Sequence, residues 1–238
     1  MPSTNQLSRA VNVAQNFIRQ APLTGVGGVT NEPALTLGDE VRQQIISPPF
    51  AWRWNRQTTT ITCVAGQQDY PKSISNFGWL EKAVPVIGGL AYPELLIELN
   101  LGEETQPNQP TRICSRLDDD QGNITFRLSP APDQAYVIDI SYQQSALSFV
   151  NLTDTWAPIP DYLWYLVMAG FKAKALTYMS DERGPFYEQM FLRMLVAASD
   201  GLSEIEKNIF MTDRLNTARE TGAVQSNSAN ARAYRSGQ

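Results

Sequence analysis

The sequence predicts an α+β protein: a helical bundle interrupted by an inserted antiparallel β domain, sandwich- or barrel-like, and followed by a long extended C-terminal tail. Three observations carry this. Near both ends apolar residues recur three or four apart, the period of a helix. Between about residues 56 and 151 the period falls to two, and turn residues punctuate short runs. Beyond residue 213 apolar residues thin out and Ala, Ser and Asn dominate, a composition that builds no core by itself. The implied division is 1–55 with 152–213 for the bundle, 56–151 for the β insertion and 214–238 for the tail.

The elements follow in order. Leu7, Val11, Ala14, Phe17 and Ile18 place a first helix over Thr4 to Ala21, with Ser3 or Thr4 as cap and Pro22 as its stop. A Gly- and Pro-rich loop, LTGVGGVTNEPA, leads to a second helix from Leu35 to Ile46, striped by Val41, Ile45 and Ile46. Pro48 and Pro49 end it, because proline has no N–H to donate and restricts the residue before it. From Thr58 strict alternation begins: Thr58, Thr60, Thr62 and Val64 on one face, Thr59, Ile61 and Cys63 on the other. Ala65 to Gln68 breaks this run. Further strands are expected at Leu80–Ile87, Glu94–Leu99, Thr111–Leu117, Asn123–Leu128 and Tyr136–Tyr142, with no helices between them. Helical period returns over Asp161 to Tyr178, and a last helix is expected from Pro185 to about Asp213, more than six turns. The chain therefore crosses between helices and strands twice, near Asn55 and near Asn151.

The totals narrow the chemistry. Among 238 residues there is no histidine, which removes the commonest general base and metal ligand and any Ser-His-Asp or Cys-His mechanism within the chain. No apolar run approaches ~20 residues, so no membrane partner is expected. The N-terminus lacks a basic start and apolar core, so Cys63 and Cys114 are expected reduced. Net charge is −5, but residues 214–238 carry four arginines against Glu220, a net +3, which leaves −8 for the rest. An acidic body with a basic tail is not the footprint of a conventional duplex-DNA binder.

The local motifs are weighed against plainer explanations. Asp118, Asp119 and Asp120 are consecutive, whereas a calcium loop alternates its carboxylates and adds a distant bidentate acid; a polar hairpin turn is expected. No phosphate-cradling glycine motif is present. No catalytic, metal-ligating or cofactor-binding residue emerges, so no enzyme and no cofactor are expected. Trp156 and Trp164, with Tyr162 and Tyr165, are expected to seal bundle against β domain, with a carbohydrate platform as the alternative. Trp52 and Trp54, two apart on an extended segment, share a side; they are expected as wedges at the seam, with Arg53 and Arg56 pointing elsewhere toward neighbouring subunits. Arg232, Tyr234 and Arg235, with Arg214 and Arg219, make the tail a partner-binding segment, since Arg and Tyr are enriched among interface hot spots.

The runs GDEVRQQIISPPFAWRWNR, TTTITCVAGQQDYP, ITFRLSPAPDQAYVIDISYQQ and APIPDYLWYLVMAGFKAKAL, in that order from Leu35 to Lys174, resemble tailed-bacteriophage head–tail adaptor proteins, also called head-completion, connector or tail tubular protein A-like proteins. The resemblance implies a structural virion protein at the neck between head and tail, assembled in the host cytoplasm. It implies a ring, usually of twelve copies, beneath the portal protein, with downstream tail or nozzle proteins on its other side and duplex DNA passing without sequence-specific binding. In that frame the tail is the candidate portal contact, and Asp118, Asp119 and Asp120 are candidate contacts with downstream tail proteins. The alternative function is a carbohydrate-binding, host-attachment module.

Overall fold

A computed structural model describes residues 3–18, 23–25, 31–103, 106–118 and 123–209. Four helices, α1 (Leu7–Ile18), α2 (Ala34–Ile46), α3 (Trp164–Tyr178) and α4 (Gly184–Ala198), flank eight strands in sequence. Helix α3 packs against each of the other three. Its sequence is apolar on nearly every side, as a central helix must be. Gly170 lets its neighbours in: a Cβ there would stand 2.8 Å from both Val41 on α2 and Phe191 on α4. Helix α1 instead turns one face inward, with Leu7, Ala10, Val11, Ala14 and Ile18 buried.

The strands are β1 (Arg56–Thr62), β2 (Asp69–Ser73), β3 (Phe77–Ile87), β4 (Leu90–Ala91), β5 (Leu96–Ile97), β6 (Arg112–Leu117), β7 (Asn123–Ser129) and β8 (Val137–Gln144). They form two four-stranded sheets, ordered β1-β8-β3-β4 and β2-β7-β6-β5. Every pairing is antiparallel except β5 with β6, which is parallel, so the wholly antiparallel expectation is corrected. Both sheets send residues into one apolar cluster. Ile61, Ala83, Ile138 and Ile140 enter from one side, Tyr70, Ile113, Ile124, Phe126 and Leu128 from the other. The alternation from Thr58 survives as burial: Ile61 and Cys63 are inward, Thr58, Thr60 and Thr62 outward. A second cluster holds α1 to α4 with Phe50, Trp52, Phe149 and Trp156.

Several boundaries differ from those expected, each for a local reason. Strand β2, which was not among the expected strands, follows the break at Ala65 to Gln68 and contains Pro71; it sits at a sheet edge, where a missing N–H costs no ladder bond. Asp69 and Arg127, opposite one another on β2 and β7, close a two-pronged ion pair at 2.7 Å. The run Glu94–Leu99 yields only the two-residue β5, and β3 starts earlier than expected, at Phe77. Asp161–Leu163 form a 3-10 turn before α3. Helix α1 begins three residues after Thr4, and 19–22 lie outside the described residues.

The long last helix is broken. α4 ends at Ala198, Ser199 turns extended, and helix resumes over 204–209. Gly201 presses so closely on the crossover that a Cβ would lie 2.5 Å from Ala51 Cβ. The resumed turn has its own start signal. Ser203 Oγ accepts from Glu206 N (3.3 Å), and Glu206 Oε2 accepts from Ser203 N (2.8 Å), the reciprocal capping pair written in Ser-Glu-Ile-Glu.

The N-terminal segment is clasped by Asp161. Its carboxylate accepts Ser3 Oγ at 2.7 Å, Thr4 Oγ1 at 2.9 Å and Asn5 Nδ2 at 2.5 Å, as well as Thr4 N. These bonds, Ser3 first and the Thr4 and Asn5 bonds after it, hold its pKa below the ordinary 3.8, against some desolvation. The folded pKa is the depressed one, so the clasp contributes fully above the unfolded value and is lost as pH falls through the folded value. Asp161→Asn is expected to lower the urea midpoint at neutral pH, and the gap to wild type to close as pH falls below 3.8. A gap independent of pH would refute a charge-dependent clasp.

Candidate functional site

The two places where the chain crosses between helices and sheets lie side by side. At the first, Trp52 Nε1 donates to Ile45 O at 2.7 Å, satisfying a carbonyl in the last turn of α2. Trp52 is 1% exposed. Residues Trp52 to Asn55 then make a tight turn, with Asn55 N donating to Trp52 O at 3.1 Å. An extended segment was expected here. The turn instead brings the two indoles together, ring centres 5.6 Å apart and planes 32° apart, with Trp54 packed on the helical cluster.

Asn55 joins the crossings. Its Nδ2 donates to Gln144 O at 2.8 Å, and Gln144 N donates to Asn55 O at 3.2 Å. Gln143, fully buried, grips the first crossing from β8. Its Oε1 accepts from Trp52 N, and its Nε2 donates to Trp52 O, both at 3.2 Å. The same Nε2 donates to Glu81 Oε2 at 2.6 Å, and Glu81 receives the guanidinium fork of Arg56. Burial works against the Glu81 charge, but hydrogen bonds from Arg56 and Gln143 prevail and hold its pKa below the ordinary range. Trp79 on β3 adds a third tie, Nε1 donating to Ile46 O at 3.3 Å.

The second crossing, 145–155, is held by one side of α2. Asp39 accepts Phe149 N at 2.9 Å. Arg42, 4% exposed, donates to Leu147 O and to Asp39, and its guanidinium lies 3.6 Å from the centre of the Phe149 ring. Desolvation lowers the Arg42 pKa, with Asp39 opposing. A groove of about 780 Å³ follows this segment from Asn76 to Pro158. Phe149 meets Trp156 at 5.0 Å between ring centres, and Trp156 meets Phe171 and Trp164 in turn. Trp156 and Trp164 thus pack in the helical cluster, where Trp156 anchors the returning chain.

Of the other residues singled out in the sequence, Arg53 is exposed, its backbone N 3.5 Å from Asp200 Oδ2. Arg56 is engaged with Glu81 within the chain, its side chain 43% exposed. Asp118 is bound inside its own hairpin, by Arg116 Nε at 3.0 Å and Thr125 Oγ1 at 2.5 Å. Asp119, Asp120, Arg214, Arg219, Arg232, Tyr234 and Arg235 lie outside the described residues. Sequence reading missed Arg42, Glu81, Trp79 and Gln143. Arg42 carried a signal, standing three and four residues before Ile45 and Ile46 in the phase of the buried stripe. Gln143, the first of two adjacent amides that close β8, carried none.

The family model for the SU10 adaptor protein matches residues 5–217. The chain belongs to this family. The SU10 adaptor match includes α1 and α4, beyond the stretch from Leu35 to Lys174 that carried the likeness by sequence. It makes the chain a phage structural adaptor, with both crossings and both apolar clusters inside the matched region. A search of curated proteins finds no match. Among the described residues of this SU10 adaptor, no helix is long and apolar enough to cross a membrane.

Proposed function

We propose that this chain joins the DNA-filled head to the tail as a ring beneath the portal, with duplex DNA passing through its centre. The observation that carries the proposal is the adaptor-family match over residues 5–217. The two apolar clusters support a division of labour: a helical bundle of 1–55 and 152–213 builds the ring, and an inserted β sandwich of 56–151 faces neighbours and downstream proteins. Arg53, and Arg56 through its exposed edge, are offered to adjoining subunits. Asp118, Asp119 and Asp120 are offered to tail or nozzle proteins. The C-terminal segment, with Arg214, Arg219, Arg232, Tyr234 and Arg235, docks on the portal.

The charge distribution fits passage rather than capture. A body at −8 repels phosphate and lets DNA slide, while the net +3 of residues 214–238 is kept for a protein partner. Copy number follows the portal, and twelve is expected. Particle mass and electron microscopy of the chain mixed with purified portal are expected to give a stacked double ring. Two species that sediment independently at all concentrations would exclude the reading.

A further inference from the structure

Two exposed apolar faces, one on α4 and one on helical residues 204–209, carry opposite charges at their rims, Arg193 and Lys172 on the first and Glu204 and Glu206 on the second. The first is the outward side of α4. Phe186, Met190, Arg193 and Ala197 follow one another at spacings of four, three and four, which places them on one stripe. Phe186 is 66% exposed, Arg193 and Ala197 are exposed, and Met190 is half-buried, while the opposite side of α4 buries Phe191, Leu195 and Val196. Phe186 abuts Tyr187, which meets Phe17, and Lys172 and Arg183 stand 5.0 and 5.4 Å from the Phe17 ring centre. Among the described residues, neither Lys172 nor Arg193 has a carboxylate partner. This face is aromatic, with Arg193 and Lys172 as its cations; Arg183 is paired with Asp181, and Glu182 is an exposed acid at its N-terminal end.

The second face belongs to helical residues 204–209. Ile205 and Ile209, one turn apart, are 72% and 55% exposed. A short capped helix with both isoleucines exposed has no apolar partner for that side among the described residues. Its flanks are acidic: Asp200, Glu204 and Glu206 against Lys207. Glu204, its side chain 87% exposed, pairs with Lys207 at 3.2 Å, and Glu206 holds Ser203, so the flank keeps a net negative charge beside its own local bonds. Gly201 seats the start of this segment against Ala51, so the helix leaves from a fixed point on the crossover.

We propose that helical residues 204–209 of one copy lie along the α4 stripe of a second copy, Ile205 and Ile209 against Phe186 and Met190, with the acidic flank toward Arg193 and Lys172. We take the contact as heterologous, the first face of each copy meeting the second face of the next, so that it repeats in one direction and a closed rotation makes a ring. The inference rests on the ring reading above and names the surface that builds it. Opposite charges at the rim set the register and the encounter rate, while the isoleucine–aromatic centre supplies the adhesion.

The test uses full-length chains with one added cysteine each, Cys63 and Cys114 being buried. A tagged Met190→Cys chain mixed with an Ile205→Cys chain under mild oxidation is expected to give a disulfide-linked mixed dimer, and neither chain alone to give one. Arg193→Glu in the first chain is expected to lower the yield about ten-fold, and Glu204→Lys in the second to restore it. Unchanged urea midpoints establish that each variant is folded. No mixed dimer, equal dimer yield from either chain alone, or cross-linking to the portal in place of the second copy overturns the contact. Particle mass separates the two readings. A wild-type ring that persists at full size in Arg193→Glu and Ile205→Asp overturns this contact and leaves the ring standing. A wild type that stays monomeric with and without portal, together with no mixed dimer from the two cysteine chains, overturns both.

Discussion

Trp52→Ala lowers the unfolding free energy by about 3–5 kcal/mol, the range for deleting a buried indole. Three losses combine. The side chain is 1% exposed and fills space between α2 and the crossover. Its Nε1 satisfies Ile45 O, which is left without that donor. The ring also supports Trp54 at 5.6 Å. The backbone groups of Trp52 that Gln143 grips remain, so the turn retains its tie to β8. Urea denaturation followed by far-UV circular dichroism reads the effect. A change below about 1 kcal/mol would mean that the indole serves a surface and not the fold. Trp79→Phe, which keeps the ring body and removes one hydrogen bond at 3.3 Å, is the control; it should cost only about 0.5–1.5 kcal/mol.

A chain ending at Asn216 folds with the midpoint of the full-length protein and fails to join portal-bearing heads. Among the described residues both apolar clusters end by Leu202, well before the deletion. It removes Arg219, Arg232, Tyr234 and Arg235, and with them three of the four arginines that make the tail basic. Two or three such anchors, each carrying about 2 kcal/mol, amount to an affinity loss on the order of 1,000-fold or more. Co-sedimentation with portal-bearing, tail-less heads measures it. Equal binding by both chains would place the portal contact elsewhere.

How far the sequence can be read depends on whether its signals are local. Periodicity placed α2, β1 and α3 closely, because amphipathic patterning and Pro48-Pro49 act within a few residues. The break after α4 was also local, written in Gly201 and the Ser203–Glu206 capping pair, but the continuing apolar stripe of Leu202, Ile205 and Ile209 outweighed it. What remained hidden was set by pairing across the chain. The parallel β5–β6 ladder joins two-residue and six-residue runs that no pattern distinguishes from antiparallel partners. The crossover site was half visible. Trp52 and Trp54 announced themselves by composition, whereas Gln143, 91 residues away, matters only because β8 returns beside the first crossing.

That adjacency has an entropic consequence. Asn55 and Gln144 bond to each other across roughly 90 intervening residues. For a flexible chain, bringing such ends together costs about 4 kcal/mol beyond a constant. Once the strands between them have folded, the ends are already neighbours, and that cost has been met within the sheets. Helices α2 and α3 are then separated only by residues 47–55 and 144–163 in place of the whole of 47–163. In kinetic terms, the loop closed by a contact such as Val41 against Gly170 falls to about a third of its length as soon as the β strands assemble.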